Sequence, residues 1–245
     1  MRAEHVNETV NSTKYVVAWD LPTRLFHWAL VILIVSAWVS FRYSETFSDH
    51  LLKWHRWNGL AILMLLVWRV LWGVFGSSTS RFTGFVRSPI AALVYARDLA
   101  VGVPRRFLGH NPLGGLVVVA LLGVVAVQAG LGLFTVEHND LTAGPLYRLV
   151  SEATTKTISR WHHYVFDWVL LPLVALHITA NVFYGVVKRE PLIPAMITGR
   201  KPAGDFEDAR TAVVPRFAAA RALALLALAA VLVLGTIRVL AGRLT

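Results

Sequence analysis

The chain has 245 residues, of which 56% are hydrophobic and only 16% charged, too little charge to cover a soluble domain of this size. It contains no cysteine, which excludes a CxxCH-attached haem, a cysteine-held iron–sulfur cluster and any disulfide. The formal net charge of +10 fits Lys and Arg gathered at a membrane surface, and no basic stripe of the kind that binds nucleic acid is present.

A helical span needs roughly 20 apolar residues to cross about 30 Å of hydrocarbon. Residues 1–24 form a polar leader without the short apolar core or small-residue cleavage site of a signal peptide. Five apolar stretches follow, expected at 25–41, 54–75, 113–134, 161–187 and 217–240, so the chain is read as an all-α integral membrane protein. Residues 25–190 are expected to form a four-helix bundle and 191–216 a polar, proline-bearing linker. Residues 217–245 hold an extra C-terminal transmembrane helix made almost wholly of Ala, Leu and Val. That fifth span has no histidine and reads as an anchor, or as a helix whose small residues dock a partner span or a second copy.

Orientation follows from the cations. Sixteen Lys and Arg fall on the side of the N-terminus and eight on the other, which places the N-terminus in the cytoplasm and the C-terminus in the periplasm of a bacterial inner membrane.

The histidines sort by depth. His27 opens the first span at the inner level, and His55 opens the second at the outer level. In the fourth span His163 and His177 are 14 residues apart. At about 100° per residue they return to within about 40° of one face, about 21 Å apart along the axis. His27 and His177 therefore share the inner level, and His55 and His163 the outer one. Ionisable residues in spans mark ion, proton or electron paths, and two stacked haems, non-covalent and therefore of b type, explain two imidazoles at each level. His162 competes with His163, but its 15-residue offset from His177 turns it about 60° away, and His163 is preferred.

Other residues complete the expected sites. Gly59, one turn after His55, removes a side chain where a porphyrin would press on the helix. Arg69, 14 residues after His55, and Arg24, one turn before His27, are placed to pair with the inner propionates, against a plain anchoring role. His110, Asn111, Asn181 and Lys188 are candidates for a quinone pocket at the inner level. His5, His50 and His138 read as surface residues, and Gln128 as an interhelical hydrogen bond. Asp167 is almost the only carboxylate within the spans.

The segments RLFHW, WHRWNG with Arg69 downstream, HYVFDWVLLPLVALH, GHNPLGG and VVKRE…MITGRKP together resemble the bacterial cytochrome b561 family, close to the membrane cytochrome b subunits of nickel-iron hydrogenases; the likeness covers about residues 15–202. It implies a four-helix di-haem bundle, with His27 and His177 on one iron and His55 and His163 on the other. It also implies an electron relay between an outer donor and the membrane quinone pool, ubiquinone or menaquinone, as the electron-transfer subunit of a quinone-linked oxidoreductase in a respiratory chain. The fifth span departs from that pattern.

Three readings compete. The first is a relay fed by a periplasmic redox partner protein, a hydrogenase or a cytochrome c, docking at the connection from Val136 to Arg160. There Glu137, Asp140 and Glu152 mix with Arg148, Lys156 and Arg160, as in a weak, salt-sensitive encounter. The second is a stand-alone superoxide:quinone oxidoreductase, its anionic substrate steered by Arg42, Lys53, Arg56, Arg148, Lys156 and Arg160. The third, a metal transporter, is disfavoured because such paths carry more carboxylates.

Overall fold

The computed structural model describes residues 15–47, 50–103, 105–136 and 143–242. Five helices are long and apolar enough to cross a membrane: Leu21–Arg42 (α1), His50–Phe75 (α3), Pro112–Gly132 (α6), the continuous run Glu152–Val186 and Ala218–Gly242 (α10). The fourth run is built of α7 (Glu152–Tyr164), a π-helical segment (Val165–Leu170) and α8 (Leu171–Val186). Between the spans lie the short helices α2 (Ser44–Phe47), α4 (Phe82–Phe85), α5 (Pro89–Ala100) and α9 (Leu192–Thr198). The expected spans are present, with the first, second and fourth beginning earlier than expected. Four residues extend α1 and α3 alike, and polar α7 carries the fourth run nine residues further back.

Several helix starts share one local code, a short polar cap with proline in the first turn. Asp20 accepts from Thr23 N at 2.7 Å ahead of Pro22, Ser88 from Ala91 N at 3.2 Å ahead of Pro89, and Asn111 from Gly114 N at 2.7 Å ahead of Pro112. Each cap satisfies an orphan amide, and proline sits where no amide donor is needed.

We call the end where α1 begins proximal and the other distal. Helix α3 is central, packing on α1, α6 and α10, while α6 packs on α7, the π segment and α8. Ile62, Leu66, Val125 and Leu170 form the buried seam between α3, α6 and the fourth run. The fifth span lies outside the four-helix bundle, on α3 and α1, where Ala229 joins Phe26, Trp68 and Trp72 in a second seam. The Trp68 indole donates to Ala222 O at 3.0 Å and Arg221 to Phe75 O at 3.1 Å, which sets the register of α10 on α3.

The proximal end is capped by folded chain. Strand β1 (Tyr15–Val17) pairs antiparallel with β2 (Arg200–Pro202), over a core of Ala18, Trp19, Leu108 and Ala195. Residues 191–216, expected as a linker, thus carry α9 and β2 and close this cap. Asp208 accepts from Leu108 N and Gly109 N at 2.6 and 2.8 Å, and the buried Lys201 donates to Phe107 O at 2.9 Å. Beneath them the Asp20 carboxylate takes hydrogen bonds from Ser77 Oγ, Ser80 Oγ and the Trp72 indole as well as its own cap. Buried polar groups demand such saturation, and α1, α3 and the Ser77–Ser80 segment are tied together by meeting it.

Candidate functional site

Two histidine pairs stand inside the bundle, one near each end. At the proximal level the rings of His27 (α1) and His177 (α8) are 6.4 Å apart at 46°. At the distal level the rings of His55 (α3) and His162 (α7) are 6.2 Å apart at 83°. Two imidazoles on opposite faces of one metal, each bonded at about 2 Å, put their ring centres roughly 6 Å apart. Both pairs match that separation.

The distal partner facing His55 at this distance is His162, where the residue spacing favoured His163. The cause is the π segment between them and His177. It takes up about one extra residue without the corresponding rotation, so the 15-residue offset of His162 acts as 14, about 40° from the His177 face. The 14-residue offset of His163 then acts as 13, about 140° away. His163 instead meets Phe41, whose ring lies 5.4 Å from both the His163 and the His55 rings. The sequence holds one sign of this break: Pro172 has no amide hydrogen to continue the α-helical ladder, and Leu171 N reaches back to Phe166 O.

The distal rings are oriented through their other nitrogen. His55 Nδ1 is 2.8 Å from Ala37 O, and His162 Nδ1 is 3.1 Å from Gln128 O, contacts that fix the tautomer and leave Nε2 inward. Gln128, expected as an interhelical hydrogen bond, makes one: its Nε2 lies 3.2 Å from His162 Nε2, the nitrogen a metal would take. A cavity open on one side runs between these rings and includes Gly59, Arg56 and Gly132 in its wall. A Cβ on Gly59 would meet nothing within 4 Å, and one on Gly132 would press on His162 at 3.3 Å. The first glycine leaves room for a flat ligand and the second lets the ligand's histidine approach α6.

Buried polar atoms without partners gather at the proximal level: Arg24 Nε, His27 Nδ1, one terminal nitrogen of Arg69 and His110 Nδ1. Arg69 is 3% exposed, donates to Ser80 O at 3.0 Å and lies over the Phe82 and Phe85 rings. Arg24 donates to Ile197 O at 2.5 Å. Orphaned buried donors are costly, and two guanidinium groups with spare donors suit the carboxylates of a haem.

The four quinone candidates do not converge. His110 is wedged between Trp19 and Phe85, ring centres at 4.8 and 4.7 Å, and burial, with the charges of Arg69 and Lys201 behind it, holds it neutral at about 3. Asn111 is a helix cap that also donates to Tyr184 OH at 3.3 Å, and Asn181 donates to His177 O at 2.7 Å. Lys188 lies toward Glu190, whose carboxyl burial pushes up. A feature with no sequence signal joins two of these elements: Tyr95 of α5 and Tyr184 of α8 share a 2.9 Å hydrogen bond between their hydroxyls. Of the surface residues expected to guide a partner, Glu137 and Asp140 lie outside the described residues, as do His5 and His138.

The model of the prokaryotic cytochrome b561 family matches residues 18–199. The chain's relatives include proteins named probable Ni/Fe-hydrogenase B-type cytochrome subunit. The one from Azotobacter vinelandii is 24% identical over 226 residues, 78% of this chain and 90% of its own length. Those from Bradyrhizobium diazoefficiens and Rhizobium leguminosarum are 22% and 23% identical, covering 78% and 85% of this chain and 87% and 98% of theirs. No solved structure matches the chain. The chain is a multi-pass membrane protein and belongs to the prokaryotic cytochrome b561 family.

Proposed function

We propose that this chain is a di-haem electron relay between a periplasmic redox protein and the membrane quinone pool. The observation that carries this reading is the two histidine pairs, 6.4 and 6.2 Å between rings, at opposite ends of one bundle interior. His27 and His177 hold the proximal iron, and His55 and His162 the distal one, with His162 replacing the His163 suggested by spacing. The haems supply reversible one-electron chemistry. Haem held by two of these histidines at each level would pass electrons rather than bind oxygen or a substrate. Arg24 and Arg69 receive the proximal propionates, and Gly59 admits the distal macrocycle against α3. Ala37 O and Gln128 O keep the distal imidazoles in one tautomer and orientation.

The greater count of Lys and Arg at the proximal end supports a cytoplasmic N-terminus in the inner membrane. The distal haem then faces the periplasm. The docking surface is the distal connection ending at Arg160, and the hydrogenase-type relatives favour a hydrogenase-like donor. Quinone exchanges electrons at the proximal level, where Asn111, Tyr184 and Tyr95 form a hydrogen-bonded chain that can pass protons between the ligand and the folded cap.

A second reading, oxidation of superoxide at the distal haem, is favoured by Arg56 in the wall of the open distal cavity. Purified protein in liposomes with quinone separates the two. A partner relay shows two haems per chain that superoxide alone reduces slowly; reduction by superoxide near the diffusion limit, with no partner, would overturn it.

A further inference from the structure

Among the described residues, Asp167 is the one carboxylate at a depth between the two histidine pairs, and the relay does not use it. It lies five residues past His162 and ten before His177, between the two histidine levels and so within the hydrocarbon. It is exposed on the outside of the bundle, and no hydrogen bond or ion pair joins it to the described chain. A carboxylate against lipid is strongly unfavourable unless paired. Its setting is apolar and largely aromatic: the neighbouring Tyr164, Trp168 and Leu171 are 50%, 72% and 45% exposed. The backbone adds polarity here, because in the π register the amide that would meet the Asp167 carbonyl belongs to Pro172 and does not exist.

A face of complementary shape and charge lies elsewhere on the same chain. On α10, Val231, Gly235 and Arg238 recur at i, i+4 and i+7, and all three are exposed. A Cβ on Gly235 would meet nothing within 4 Å, so a second helix with large side chains can come close. Arg238 has no ion pair within the described chain. The depths agree as well. From the Trp68–Ala222 hydrogen bond, 13 residues along α3 lead to His55 and 13 along α10 lead to Gly235, so Gly235 stands at the distal histidine level. Arg238 and Asp167 are then roughly 12 Å apart in depth at their Cα atoms. Side chains lean toward the N-terminus of their helix, so Arg238 leans inward on its long stem and Asp167 outward, each toward the other.

We propose that the Tyr164–Asp167–Trp168–Leu171 face of one chain docks on the Val231–Gly235–Arg238 face of a second copy, with Asp167 paired to Arg238 inside the membrane. The acidic face belongs to the helix run packed on α6, and the basic face to the helix packed on α3 and α1. Two different patches meet, so the contact is head-to-tail. This gives the fifth span, dispensable to the histidine pairs, a function of its own.

The absence of cysteine makes the test clean. Trp168→Cys and Val231→Cys are placed in separate chains, co-expressed, and treated in membranes with a short thiol-to-thiol crosslinker. The expected product is a crosslinked pair containing one chain of each kind, absent when either variant is expressed alone. Adding Asp167→Arg to the first chain lowers its yield about tenfold, and adding Arg238→Asp to the second restores it, as for one desolvated ion pair. Unchanged haem spectra confirm that each variant is folded. No mixed crosslink, although both thiols react with a membrane-permeant maleimide, overturns the proposal. So does a yield indifferent to charge reversal, or capture by Trp168→Cys of a different polypeptide.

Discussion

The rings of His55 and His162 face each other at 6.2 Å although His163, one residue on, has the better helical spacing to His177. A π turn brings His162 to face His55, and the ligand assignment proposed from it has a spectroscopic consequence. His162→Ala is expected to lose the distal haem and keep the proximal one, giving half the haem per chain. His163→Ala is expected to keep both, with at most a shift in the distal potential. Haem content and a redox titration of the two variants check this; loss of a haem in His163→Ala with retention in His162→Ala would restore the simple helical spacing.

Asp20 ties α1, α3 and the segment from Ser77 to Ser80 together under the proximal cap. Asp20→Ala removes a helix cap and leaves buried hydroxyls without their acceptor. The expected loss of stability is about 2–4 kcal/mol, the sum of a cap and charge-assisted hydrogen bonds. Thermal unfolding in detergent measures it, and Asp20→Asn should fall between the variant and the wild type.

Glu190 supplies a pH dependence of opposite sign to the usual carboxylate. Burial raises its pKa above the unfolded value, so the folded protein holds the proton more tightly. Its contribution is therefore most favourable below the unfolded pKa, about 4.3, and is lost as pH rises through the higher folded value. Glu190→Gln should remove that part of the decline. Denaturation midpoints from mildly acidic to neutral pH, compared between the two proteins, would show parallel curves if Glu190 contributes nothing.

The Tyr95–Tyr184 hydroxyl pair allows proton movement to be separated from electron movement. Tyr95→Phe and Tyr184→Phe are expected to slow quinone-linked turnover by about 10²-fold, the lower range for a lost proton-transfer group, while chemical reduction of the haems stays unchanged. Equal quinol oxidation rates in both variants and the wild type would place quinone elsewhere.

The class of molecule, the number of spans and the histidines near their ends were legible in the sequence because each rests on local pattern. Twenty apolar residues can satisfy their backbone in lipid only as a helix, and His27, His55 and His177 stand out against apolar neighbours. Helix starts were equally local, as the polar caps before Pro22, Pro89 and Pro112 show. That His162 faces His55 was not legible from uniform α-helical phase, because the π turn at Val165–Leu170 changes that phase where Pro172 breaks the ladder. Nor was the cap: residues 191–216 look like a linker until β2 finds β1, some 180 residues away, and Lys201 finds Phe107 O. Contacts of that range depend on which surfaces the bundle leaves adjacent, and only the assembled tertiary structure sets those.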